Sequence, residues 1–91
     1  MPTEAERLRR AIGARVRELR HTCGQLSQER LAYRAGFDPS FVGRLERGKT
    51  GATVETVAII CKALGITLQQ FFQPFERPYA VQGPRRKRSR T

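Results

Sequence analysis

The chain has 91 residues, 38% of them apolar, and a formal net charge of +10. That length suits one domain with a small core, and the longest apolar run, Val57 to Cys61, is too short to cross a bilayer. The basic balance predicts a polyanionic partner, nucleic acid first.

Residues 1–72 carry twelve Lys/Arg and seven Asp/Glu, and residues 73–91 carry six and one, so a structured region and a tail each contribute +5. The N-terminus is charged from Glu4 onward and lacks an apolar signal segment, which predicts a cytoplasmic protein, nucleoid-associated when bound to DNA. Cys23 and Cys61 stand alone without CxxC spacing, and with His21 they are too few for a zinc site. Both are read as reduced, with Cys61 a small core residue, and no metal or other cofactor is expected.

Thr3 and Glu6 fit a capping box, and Leu8, Ile12, Val16 and Leu19 then recur at helical spacing. They predict an amphipathic helix from about Glu4 to His21, stopping before Gly24, with Arg9, Arg10, Arg17 and Arg20 on its flanks. Ser27 caps a second helix that begins at Gln28, shows a narrow apolar face of Leu31, Ala32 and Ala35, and ends at Gly36. Asp38 caps a third, with Pro39 at its first position, Val42 and Leu45 facing inward, and Gly48 as its stop. Phe41 is either core or a cover for the phosphate backbone.

Thr53 caps a fourth helix whose stripe is Val54, Val57, Ala58, Cys61 and Leu64, with Ile60 flanking it and Gly65 as the stop. Thr67 and Gln70 form a second capping box for a short fifth helix, Leu68 to Phe72. Pro74 and Pro78 then break the pattern. Phe75 to Val81 is expected as an edge strand or an extended arm, and Gly83 to Thr91 as a basic tail that is disordered alone. The expected architecture is all-α: residues 1–73 a domain, 74–82 an extension and possible dimer-exchange arm, and 83–91 the tail.

The second and third helices meet across the turn Ala35-Gly36-Phe37-Asp38, the length a helix-turn-helix requires. The short third helix suits entry into a major groove, which admits one helix whose N-terminal residues reach base edges. Its N-terminus also favours phosphate.

The segment LSQERLAYRAGFDPSFVGRLERGKTGATVETVAIICKALGITLQQFF resembles the Xre/Cro-type helix-turn-helix regulators, among them phage repressors and restriction–modification controller proteins. The motifs that carry the likeness are SQERLA, AGF, the L-E-R-G-K exit, and KALGI before an aromatic-rich helix. The resemblance implies a five-helix, lambda-repressor-like domain over about residues 8–72. It further implies a regulator, a repressor above all, that binds a palindromic double-stranded DNA operator as a homodimer.

The same resemblance assigns roles. Ser40, Gly43 and Arg44 fall at positions that face bases, and an Arg44 guanidinium can meet both O6 and N7 of a guanine. Pro39 stands where the family often has a polar contact residue, which leaves it helix initiation and a contact with a thymine methyl. Ser27 and Gln28 are expected at phosphate, as are Arg47 and Lys49 after the recognition helix. Arg20 and Glu46 are expected to form a structural ion pair. Ile59, on the polar side of the fourth helix with Glu55 and Lys62, joins Phe71 and Phe72 in an expected dimer interface.

PRRKRSR has the composition of a nuclear localisation signal and equally suits an arm reaching phosphate or the minor groove. An enzyme is not expected: there is one His, and GRLERGKTG lacks the spacing of a phosphate-binding loop. Two alternatives have other partners. One is an antitoxin that binds a toxin protein through the aromatic appendage after Phe72; the other is a coactivator bridging proteins such as RNA polymerase.

Overall fold

The computed structural model describes residues 1–75. These form α1 (Glu4–Thr22), α2 (Gln28–Ala35), α3 (Pro39–Glu46), α4 (Val54–Leu64) and α5 (Leu68–Phe72), followed by a 3-10 turn, Gln73–Phe75. There is no strand among the described residues. Phe75 lies in the 3-10 turn, and the rest of the expected strand or arm, with the basic tail, falls outside the described residues.

Each helix starts where a short polar side chain satisfies the first free N–H groups. Thr3 and Glu6 exchange hydrogen bonds in a capping box on α1, and Thr67 and Gln70 do the same on α5. Ser27 Oγ accepts from the Arg30 N–H, and Thr53 Oγ1 from that of Thr56. Gly36 ends α2 at φ 76°, a left-handed conformation that lets the chain reverse into α3 within two residues.

The core joins Ile12, Val16 and Leu19 of α1 to Leu26, to Leu31 and Ala32 of α2, to Val42 and Leu45 of α3, to Val57, Ile60, Cys61 and Leu64 of α4, and to Phe71 of α5. Helix α3 is clasped between α1 and α2. The approach of α1 is tight: a Cβ on Gly13 would lie 2.2 Å from the Leu45 carbonyl oxygen and 2.8 Å from that of Glu46. Glycine is therefore the residue that lets α1 press on the C-terminal turn of α3 and fix its direction.

Two expectations about the apolar faces are corrected. Ile60 is fully buried and belongs to the α4 stripe, whereas Val54 is 69% exposed and does not. Rotating the stripe toward Ile60 aligns it with Val57 and Leu64, and leaves Val54, in the first turn, outside the core. Phe71 is also fully buried, with Phe72 edge-on at 4.8 Å and Phe75 stacked at 6.3 Å. It completes the core beneath α5, so it presents no surface to a partner.

Candidate nucleic-acid interface

Helix α3 has two unlike sides. Val42 and Leu45 are buried, and Pro39, Ser40 and Arg44 are exposed. The start of the helix is organised by Asp38. Its Oδ1 accepts from the Ser40 N–H at 2.9 Å and from the Ser40 hydroxyl at 2.8 Å. Since Ser40 spends its proton on Asp38, its oxygen is left as an acceptor, and Arg44 Nη1 donates to it at 3.2 Å. The guanidinium is thereby turned along the outer side of α3. The Ser40 N–H and hydroxyl, aided by the Arg44 charge, hold the Asp38 carboxyl below its usual range. In the sequence Asp38 reads only as a cap. The spacing of Asp38, Ser40 and Arg44, two and then four residues, is the signal in the sequence that could have revealed the relay.

Gly43 does not stand open to a partner; it is buried. The Arg47 and Gln28 side chains fold over it, with Arg47 Nη1 and Gln28 Oε1 at 3.2 and 3.5 Å from where a Cβ would sit. The expectation that Gly43 faces bases is corrected accordingly: the absent side chain makes room for these two flexible polar ones. Ser27, Arg47 and Lys49 are exposed, and Gln28 is half-buried at the first position of α2. Phe41 is half-buried, with the Phe37 ring edge-on at 5.2 Å.

Beneath this surface, Arg20 and Glu46 join α1 to α3. Arg20 Nε donates to Glu46 Oε2 at 2.7 Å and Nη2 to Oε1 at 3.0 Å, while Nη1 reaches the Leu26 carbonyl at 2.8 Å. Gln28 Nε2 donates to the same Oε1 at 3.0 Å. Only 10% of the Arg20 side chain and 3% of the Glu46 side chain are exposed. The hydrogen bond to Glu46 raises the Arg20 pKa, against the opposing effect of burial. Burial pushes the Glu46 carboxyl up, but hydrogen bonds from Arg20 and Gln28 and the charges of Arg20 and Arg17 outweigh it and hold it below its ordinary value. One carboxylate thus ties α1 and α2 to the end of α3.

Of the residues expected at a dimer seam, Ile59 is 43% exposed and Phe72 half-buried. Leu68, not singled out in the sequence, is 38% exposed at the start of α5. Arg15 fastens α5 to α1, donating from Nε to the Phe71 carbonyl and from Nη2 to that of Gln70, both at 2.8 Å. A helix-spaced arginine gives no sign in sequence of a partner 56 residues away.

Comparison with known proteins agrees with this arrangement. The family described as "Helix-turn-helix domain" matches residues 11–71. The chain is 32% identical over 75 residues to an uncharacterized HTH-type transcriptional regulator, y4dJ, of Sinorhizobium fredii, covering 81% of this chain and 96% of that one. It is 30% identical over 59 residues to control protein C.BamHI of Bacillus amyloliquefaciens, covering 65% and 73% of the two chains. The crystal structure of the restriction-modification controller protein C.AhdI from Aeromonas hydrophila superimposes with a TM-score of 0.66 at 39% identity, covering 70% of this chain and 96% of that chain. The chain belongs to the helix-turn-helix domain family.

Proposed function

We propose that the chain is a sequence-specific, double-stranded-DNA-binding transcriptional regulator that acts as a homodimer. The observation that carries this reading is the exposed side of α3, where Ser40 and Arg44 are held in one hydrogen-bonded row. In the proposal α3 enters the major groove. Arg44 reads a guanine, Ser40 meets a neighbouring base, and Pro39 touches a thymine methyl. Gly43 acts indirectly, by admitting Gln28 and Arg47 over the helix. Ser27, Gln28, Arg47 and Lys49 meet phosphates and set register.

The relatives support regulation as the role, since they are named as a transcriptional regulator and as control or controller proteins. They lend no support to the antitoxin alternative. A homodimer suits the apolar surface of Ile59, Leu68 and Phe72, and two copies would double a short reading surface. Residues 1–73 would be the DNA-binding domain, residues 74–82 an extension of the dimer interface, and residues 83–91 a basic arm. The site of action would be the cytoplasm; among the described residues no single helix is long and apolar enough to cross a membrane.

Footprinting on selected duplexes tests the proposal. The expected result is a discrete, palindromic protected site with half-sites about 34 Å apart or a multiple of that. Diffuse protection independent of sequence would contradict it.

A further inference from the structure

A groove of about 230 Å³ runs between the first half of α1 and the loop after α3, lined by Glu6, Arg9, Arg10, Arg47, Gly48 and Lys49. Its four cations form no ion pair among the described residues. Its one carboxylate is engaged locally, Glu6 Oε1 accepting from the Thr3 N–H at 2.8 Å. The walls are held together by close packing. A Cβ on Gly48 would lie 2.8 Å from Arg10 Cγ, and one on Gly51 would lie 3.7 Å from Arg9 Cδ. The loop is thus seated on the stems of the two α1 arginines, and their charged ends are gathered beside Arg47 and Lys49.

We infer that this groove is an anion site, built by Arg9 and Arg10 of α1 with Arg47 and Lys49, that takes a backbone phosphate of the DNA duplex flanking the base pairs under α3. The inference rests on the reading of the chain as a DNA-binding protein and extends its footprint. Arg47 supplies continuity, because it lines the groove and also folds over Gly43 on α3. Groove and recognition helix are therefore one surface. The lining has an excess of cations and no aromatic ring on which a base could stack, which suits a phosphodiester rather than a free nucleotide. Guanidinium groups match phosphate oxygens in paired hydrogen bonds. In the sequence, Arg9 and Arg10 read as ordinary flank charges of an amphipathic helix, because their partners lie almost 40 residues further on.

The test measures affinity of the full chain for its selected duplex as a function of salt, for wild type, Arg9→Gln/Arg10→Gln and Arg9→Lys/Arg10→Lys. Glutamine keeps the carbon stem that packs on Gly48, so the fold is preserved. The glutamine variant should show a log-affinity against log-salt slope shallower by about 0.9 for each phosphate that it no longer neutralises, with the lysine variant close to wild type. Duplexes with uncharged methylphosphonate linkages just outside the half-site should weaken wild-type binding more than that of the glutamine variant, which keeps only Arg47 and Lys49 in the groove. Equal slopes for all three proteins, or equal sensitivity of wild type and glutamine variant to the neutral linkages, would overturn the inference. A wild-type chain that binds no duplex would instead remove the functional reading on which it rests.

Discussion

Glu46→Ala is expected to lower the stability of the folded chain by about 3 kcal/mol, because it leaves Arg20 buried without its counter-charge. The loss is a large part of the roughly 5–15 kcal/mol that holds a small domain together. It falls where α1, α2 and α3 meet: Arg20 loses two hydrogen bonds and Gln28 one. Glu46→Gln separates charge from shape. The folded-state pKa of Glu46 is lowered, so its contribution is fully present above the ordinary glutamate pKa and is lost as pH falls through the depressed folded value. Urea melts should therefore show a wide gap between wild type and Glu46→Gln near neutral pH that closes in acid. A gap of constant width down to low pH would mean that the charge of Glu46 contributes nothing.

Phe71→Ala is expected to cost about 4 kcal/mol, the range for emptying a fully buried aromatic site. The Phe71 side chain is fully buried in the core, and its own carbonyl receives Arg15. Without the ring, Phe72 and Phe75 each lose one ring contact and keep the edge-on contact with each other. Ile59→Lys is the matched comparison. Its side chain stands on the outer side of α4, so the cost to the monomer should stay within about 0.5 kcal/mol. If Ile59 lies on the dimer seam, sedimentation should show the Ile59→Lys chain dissociating at concentrations where wild type is paired. The opposite pattern, in which Phe71→Ala is harmless and Ile59→Lys destabilises the monomer, would reverse the assignment of core and surface.

What can be read from the sequence is local. The starts of all five helices are set by side chains within a few residues of them, such as Thr3 with Glu6 and Thr67 with Gln70, so α5 begins at Leu68 as the capping pattern predicts. The family likeness likewise rests on motifs within one stretch of chain. The misreadings concern which side of a helix meets which neighbour. A 3.6-residue period in α4 allows either Val54 or Ile60 at the edge of the stripe, and the packing of α4 on its neighbours chooses Ile60. Nothing near Phe71 in the sequence says whether its ring points inward. Gly43 and Gly13 look alike as helix glycines, yet one shelters two polar side chains and the other admits the carbonyls of a crossing helix. The cationic groove is hidden for the same reason, since Arg10 and Gly48 become neighbours only when α1 crosses α3.

The reading of duplex edges by the exposed side of α3 is tested most directly by binding-site selection with purified wild-type protein and with Arg44→Ala. Wild type should return a palindromic preference, and Arg44→Ala should lose the preference at one base pair in each half-site, a discrimination of about 1–3 kcal/mol, with the other positions retained. An Arg44→Ala chain that keeps the full preference, or that loses affinity equally for every sequence, would contradict base reading by this helix.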